Sequence, residues 1–270
     1  MTIRPLLQSD VSGALDLCTA ANWNQTAADW ERMLALQPDG CWCVERDGRV
    51  VATASLVRWG TSLGWIGMVL TAPDQRGQGL ARALMNHAIA TARAWRIPSV
   101  WLDATDMGIA LYRSLGFVYE CAIERFHRDA DTIVGSEAWP TFIPDWKLDE
   151  EATGIDRRRL LESLAMVEAT SLPGGFVMGR PGARATYCGP LVARTSTTAE
   201  LLLTTFLLRH QNQPVYIDCL PSNTASVDMV QRYGFRPVRR LTRMSLALES
   251  MPYSTGDRNL VYGIAGFEYG

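Results

Sequence analysis

The chain predicts an α+β protein of two tandem domains, each a mixed, mostly antiparallel sheet flanked by helices. Three observations carry that reading. A length of 270 residues allows two domains of ordinary size, and 47% hydrophobic content can fill two cores. In the first half two helices and a meander of strands give way to alternating helices and strands, so hairpin-linked and helix-linked strands share the half. That order recurs faintly in the second half, as an internal repeat would.

The first half parses element by element. Thr2 to Leu6 reads as a strand, and Asp10 can cap a helix running to Ala21. Asp29 to Leu36 is helical and is ended by Pro38 and Gly40. Cys41 to Arg46 and Val50 to Val57 are strands joined through Asp47-Gly48, a strong hairpin signal. Trp65 to Leu70 is the third strand of that meander. The helix from Leu80 to Trp95 repeats Leu80, Leu84, Ala88 and Trp95 along one core-facing stripe, and Pro98 stops it. Val100 to Ala104 is a strand, Gly108 to Leu115 a helix and Phe117 to Phe126 a strand.

Residues 129–154 read as a linker, rich in Pro, Trp and acids: Trp139-Pro140, Pro144-Asp145-Trp146 and Asp149-Glu150-Glu151. Its aromatic residues should hold it against a surface. Residues 1–128 and 155–270 are then the two domains. In the second, Arg158 to Ala169, Thr197 to Arg209 and Ala225 to Tyr233 read as helices. Phe176 to Met178, Ala185 to Val192, Val215 to Leu220 and the run from Phe235 read as strands. Two anchors recur. Gly67-Met68-Val69-Leu70 resembles Gly189-Pro190-Leu191-Val192, and Leu115-Gly116-Phe117 resembles Tyr233-Gly234-Phe235.

Composition narrows the function. A net charge of -2 gives no electrostatic reason to expect nucleic acid as a partner. The one dense basic cluster, Arg157-Arg158-Arg159, opens a helix and reads as a solvated face. Cys18, Cys41, Cys43, Cys121, Cys188 and Cys219 form no C-x-x-C pair, and the chain has only three histidines, so no metal site is expected. Cys41 and Cys43 share one face of a strand as reduced packing residues. The first residues do not resemble a signal peptide, and the longest apolar stretch, Leu201 to Leu208, is too short for a bilayer. The expected setting is the cytoplasm, with no membrane partner.

Arg76-Gly77-Gln78-Gly79-Leu80-Ala81 is the most informative stretch. It places a glycine-rich turn between a strand and a helix N-terminus, where free N–H groups carry the positive end of the helix dipole. Without Cβ atoms, an anion can approach the backbone closely. The stretch therefore reads as a cradle for phosphate or pyrophosphate. A Walker A loop would need a Gly-Lys-Ser/Thr run, and no lysine follows. A dinucleotide fingerprint would need a small residue where Arg82 stands, and would follow the first strand of a βαβ unit. Asp103 does lie near the spacing of a ribose-binding acid. The bland alternative is a tight turn that opens a surface helix.

A second motif decides between these. Leu111-Tyr112-x-x-x-Gly116-Phe117 follows the strand at Val100 to Ala104. Arg76-x-x-Gly79-x-Ala81, then a helix, a strand and this motif, resembles the GNAT superfamily of acyl-CoA-dependent N-acyltransferases. The likeness covers roughly the first half. It extends to bacterial members with a Trp-Asn segment (Trp23-Asn24) and Leu102-Asp103-Ala104-Thr105. The resemblance implies two tandem GNAT-like domains, acetyl-CoA as co-substrate and direct attack by an amine without an acyl-enzyme. It implies that Arg76, Gly77, Gln78, Gly79, Leu80 and Ala81 bind pyrophosphate through backbone N–H groups. Val69, Leu70 and Thr71 would offer main-chain groups to the pantetheine arm. Thr105 stands where many relatives have a cofactor-contacting asparagine. Tyr112 is placed to protonate the departing thiolate; its bland reading is a packed tyrosine bonded elsewhere.

The general base is not singled out. Asp103, Asp106, Glu45 and His127 are candidates, and His87 reads as structural. Trp23, Trp30 and Trp59 could line the acceptor pocket or pack the core. The second copy departs where chemistry would sit. Arg194 to Glu200 lacks glycine, and aligning the Gly-Phe pairs sets Val230 opposite Tyr112, where no proton can be donated. The second domain is expected to be degenerate, to bind no acetyl-CoA, and to hold acceptor, roof the first site or form a homodimer. The expected acceptor is a small-molecule or protein amine. The rival reading is a non-catalytic acyl-CoA-binding or interaction module on the same fold.

Overall fold

The computed structural model describes residues 2–132, 143, 145–249 and 256–270. The first half runs β1 (Ile3–Pro5), α1 (Val11–Ala20), α2 (Ala27–Leu36), β2 (Cys41–Arg46), β3 (Arg49–Trp59), β4 (Leu63–Thr71), α3 (Leu80–Ala94), β5 (Ser99–Ala104), α4 (Asp106–Ser114) and β6 (Val118–Arg128). The second continues with α5 (Trp146–Thr153), α6 (Arg158–Ala165), β7 (Ala169–Leu172), β8 (Gly175–Arg180), β9 (Thr186–Ala193), α7 (Ser196–Arg209), β10 (Val215–Cys219), α8 (Thr224–Arg232), β11 (Arg236–Ala247) and β12 (Val261–Gly263).

Local chemistry explains the boundaries. Asp47 and Gly48 both take positive φ, 50° and 74°, which closes the β2–β3 hairpin with the twist that antiparallel strands need. α2 starts at Ala27, earlier than expected, because Thr26 and Asp29 form a capping box. Asp10 does not cap α1 with its side chain. Its carboxylate accepts from the Leu7 N–H and from Arg4 instead. α3 buries Leu80, Leu84, Met85, Ala88 and Ala92 and ends at Ala94, before Pro98. α6 stops at Ala165, short of the expected Ala169, which instead opens β7. β7 and β12 are too short to show periodicity in the sequence.

The reading from sequence gives each domain its own sheet. Among the described residues the two are one continuous sheet of 12 strands, in the order β1-β2-β3-β4-β5-β11-β6-β10-β9-β8-β7, with β12 on β9. β11, from the second half, lies antiparallel between β5 and β6. β6, from the first half, lies antiparallel between β11 and β10. Each half thus lends its late strand to the other, around a pseudo-twofold axis between β6 and β11. Among the described residues only β4–β5 and β9–β10 pair in parallel.

Buried ion pairs repeat this symmetry. Arg125 on β6 donates two hydrogen bonds to Asp218 on β10, both 2.7 Å. Arg243 on β11 donates two to Asp103 on β5, 2.8 and 2.9 Å. Arg125 and Arg243 stand equally far beyond Phe117 and Phe235, so these are one pair written twice. Each crosses between the halves.

The Arg157 cluster differs from expectation. Arg158 and Arg159 are exposed, but Arg157 is buried and holds both oxygens of Asp149 on α5. α5 lies inside the segment read as linker, and Trp146 packs against the core there, under the Arg158 guanidinium. Trp139, Pro140 and Pro144 lie outside the described residues. All six cysteines are free. Among the described residues no helix is long and apolar enough to cross a membrane, and no cluster of side chains could hold a metal ion.

Candidate active site

β4 and β5 pair only from Leu63 to Trp65 against Ser99 to Trp101, and then splay. A β-bulge helps force the gap. The β3–β4 register shifts between Thr53 and Ser55, and Met68 takes a φ of 51°. Beyond the bulge, no strand among the described residues lies beside the edge of β4 that faces β5.

A groove of ≈ 540 Å³ opens there. Val69, Leu70 and Thr71 form one wall, and Arg76, Gly77, Gly79, Leu80 and Ala81 form its floor at the start of α3. Gly77 and Gly79 have φ of 74° and 77°, and the space a Cβ would take at either is open. Gly79 is the N-cap of α3, and no side chain caps the helix. The amides of its first turn are left for an external anion. The Gln78 side chain turns aside to accept from Arg46. The Thr71 hydroxyl is buried with no partner, an orphan that a ligand in the groove can satisfy. These residues fit an acyl-CoA: amides for the pyrophosphate, and a free strand edge for the pantetheine amides.

Tyr112 and Thr105 line the groove and also a second, inner cavity of ≈ 60 Å³. Gly108, one helical turn before Tyr112, makes room for its ring: a Cβ there would stand 2.6 Å from the ring carbon Cε2. Burial pushes the Tyr112 hydroxyl up to about 12. It therefore keeps its proton at neutral pH, and no hydrogen bond to a described residue ties it down.

The inner cavity is a composite. Trp23 and Gln25 come from the α1–α2 connection, Asp103 from β5 and Arg125 from β6. Arg239 comes from β11, and Phe267 and Glu268 from the C-terminal segment. That segment crosses β4 and β3, where the indole N–H groups of Trp65 on β4 and Trp59 on β3 donate to the carbonyls of Phe267 and Tyr269. Gly67 admits it closely; a Cβ there would lie 3.0 Å from the Glu268 carbonyl oxygen. The Glu268 carboxylate accepts from Gln25 at 2.9 Å and from Arg180 at 2.7 Å. Burial raises its pKa above the usual carboxylate range, against the pull of Arg180. Burial likewise raises Asp103, opposed by Arg243.

The structure thus gathers Tyr112, Thr105, Val69, Leu70, Thr71 and the glycine turn around the groove, and Tyr112, Thr105 and Val69 also line the adjoining inner cavity. Of the base candidates, only Asp103 reaches the inner cavity. Glu45 bonds Arg4 at the surface, Asp106 opens α4, and the His127 ring meets Tyr216 at a tilt of 55°. Trp23 lines both spaces, while Trp30 and Trp59 are buried in the core. His87 is exposed and meets Trp42 edge-on. Glu268, Arg239 and Arg125 were not singled out from the sequence. No local pattern marks them, because strand exchange and the path of the C-terminal segment bring them in.

The matching place in the second half is built the other way. α7 is capped by its own Thr195, which accepts from the Thr198 N–H. β9 and β10 also splay, but β12 pairs with β9 in the gap, and the Ile264 N–H reaches the Asp218 carbonyl on β10. The Tyr262 hydroxyl bonds Ser196 at the helix start. Val230 sits where Tyr112 does: the Phe117 N–H bonds the Tyr112 carbonyl, and the Phe235 N–H bonds the Val230 carbonyl, both at 3.1 Å.

A strand pair splayed by a bulge, beside a helix that starts on glycine, is the architecture of the acyl-CoA-binding GNAT fold. The chain belongs to that family as a tandem member. The Acetyltransferase (GNAT) family model matches residues 13–117, and an Acetyltransferase (GNAT) domain model matches residues 146–263. It is 24% identical to holothin acyltransferase of Pseudoalteromonas sp., over 93% of this chain and 88% of that one. A shorter match, 33% identical, covers 28% of this chain and 55% of glucosamine 6-phosphate N-acetyltransferase from Trypanosoma brucei brucei. Among solved structures, a candidate acetyltransferase from Pyrococcus horikoshii superposes with a TM-score of 0.86 at 22% identity, over 100% of this chain and 95% of that one. A tandem GNAT protein from the clavulanic acid biosynthesis pathway gives 0.66 at 18%, over 93% and 99%. At these identities the two structures speak for the fold alone.

Proposed function

We propose that the chain is an N-acyltransferase that moves an acetyl group from acetyl-CoA directly to a primary amine, at one site per chain in the first domain. The observation that carries this is the position of Tyr112, whose side chain walls both the cofactor-sized groove and the inner cavity. Bound acetyl-CoA supplies an acyl group activated as a thioester. Gly77 to Ala81 hold its diphosphate through backbone N–H groups, and the free edge of β4 holds the arm. Tyr112 gives its proton to the departing sulfur. Glu268 receives the proton of the attacking amine. Asp103 is locked by two bonds to Arg243, whereas the Glu268 oxygen away from Arg180 accepts from the neutral Gln25 amide, which an amine can displace. Burial raises both carboxylates and so makes either a stronger base; the replaceable Gln25 bond is what favours Glu268.

The second domain has lost the cofactor site, because the chain's own β12 fills the cleft and Thr195 caps the helix. Calorimetry with acetyl-CoA is expected to give one site per chain, and CoA release with an amine panel is expected to show turnover. Two equivalent sites would overturn the assignment. Tight binding without turnover on any amine would favour the non-catalytic module. Glu268→Gln tests the base. A carboxylate with a raised pKa loses base function as pH falls through that pKa, so the wild-type rate falls on the acid side. The variant is expected to be slow throughout and to lack that limb.

A further inference from the structure

We propose, resting on the N-acyltransferase reading, that the acceptor carries an anionic group close to its amine and that Arg239 binds it. The argument is one of charge. Arg239 on β11 stands directly opposite Arg125 on β6, so two cations share one face of the sheet at the inner cavity. Like charges in that position are destabilising. One aspartate serves the two. Asp218 is engaged by Arg125 through both oxygens, and Arg125 also lies over the Phe267 ring at 4.4 Å.

The other charged groups around the cavity are matched. Asp103 pairs with Arg243, and Glu268 pairs with Arg180, which also meets Asp29 beside Arg32. Among the described residues no carboxylate lies within ion-pair distance of Arg239. Asp218 and Asp106 attract it only through space. Burial, and then Arg125, lower its pKa. A guanidinium remains charged nonetheless. One positive charge is therefore left over, partly withdrawn from water.

The pseudo-twofold axis shows that this charge is not part of the shared scaffold. The position equivalent to Arg239 is Cys121, which faces Arg243. The fold builds the Arg–Asp pair twice, and the second half adds an arginine only where its strand borders the first site. Arg239 lines both the groove and the inner cavity, as Tyr112 and Thr105 do. An anion held there lies beside the reacting centre. With an inner space of ≈ 60 Å³, the amine and the anion belong to one compact head group. A planar guanidinium suits a carboxylate or a phosphate by paired hydrogen bonds.

The test compares matched acceptors on the full chain, with acetyl-CoA as donor. Amino acids are set against their amides, and 2-aminoethyl phosphate against ethanolamine. The wild type is expected to favour an anionic member by about tenfold or more in kcat/KM. Whether the carboxylate or the phosphate pair shows the gap identifies the source of the anion. Arg239→Gln is expected to bring the ratio within each pair close to one, and Arg239→Lys to retain part of it. Calorimetry of the same compounds, with CoA present, repeats the comparison without chemistry. Failure of every amine to turn over would strike the catalytic reading, while lost binding of the anionic member in Arg239→Gln would still support the present one. Equal use and equal binding of charged and neutral partners would overturn it. So would a requirement for Arg239 in acetyl-CoA affinity, or a wild-type preference for acyl donors that carry their own carboxylate.

Discussion

Tyr112 shows how a single side chain is prepared by its surroundings. Gly108 clears room for the ring, burial pushes its pKa up to about 12, and the hydroxyl is left free beside both cavities. Removing only the hydroxyl, in Tyr112→Phe, keeps the packing. A positioned general acid is typically worth about 10²–10⁴-fold. The expected outcome is a fall in kcat of that order with acetyl-CoA affinity nearly intact. Because the donor stays protonated at neutral and mildly alkaline pH, the ratio of the two rates should be constant across that range. A phenylalanine variant within about threefold of wild type, with chemistry rate-limiting, would leave Tyr112 as a packing residue. Asp218 is a structural counterpart. Its carboxylate neutralises buried Arg125, which it holds charged despite the burial. Asp218→Asn would strand that charge, at a cost of about 3–5 kcal/mol. Urea unfolding should show the loss; an unchanged midpoint would mean that Arg125 finds water or another acid.

At the scale of the element, two equivalent helices differ in how they begin. α3 starts on Gly79 with no side-chain cap, and α7 starts on Thr195, whose hydroxyl accepts from Thr198. One N-terminus is open to an anion and the other has satisfied itself. Gly79→Asp should therefore abolish acetyl-CoA binding. The carboxylate would enter the diphosphate site, while the left-handed φ of 77° remains accessible to Asp. Calorimetry on the folded variant checks this, and retained affinity would move the diphosphate site elsewhere. The splayed strands carry the same contrast. β4 leaves an edge free toward β5, and β9 has its edge covered by β12.

At the scale of the whole molecule, strand exchange makes one body of two domains. Residues 1–128 alone would hold β6 without either neighbour, since β11 and β10 both come from the second half. Asp103 and Arg125 would also lose their partners. The full chain is expected to unfold in one transition. Residues 1–128 expressed alone should show no cooperative unfolding by circular dichroism, and co-expression with residues 145–270 should restore it. A first half that melts cooperatively by itself would show that the exchange adds little. The candidate active site depends on the same arrangement, because Arg239 and Glu268 reach the inner cavity from the second half.

Much of this was legible in the residues. Local signals placed the hairpin at Asp47-Gly48, the helix after Gly79, the Leu111 to Phe117 motif and the repeat of the Gly-Phe anchors. Each is a short-range preference of glycine, proline or apolar spacing, and needs no knowledge of distant partners. The repeat also showed that Val230 replaces Tyr112. What the residues could not show was which edges meet. Strand pairing depends on register and on hydrogen bonds between segments far apart in sequence, and the same strand pattern serves two separate sheets or one shared sheet. The exchange of β6 and β11, the filling of the second cleft by β12, and the passage of Glu268 across Gly67 were therefore decided only in three dimensions. The charge left on Arg239 belongs with them, since an arginine counts as unmatched only once every neighbouring acid has been placed.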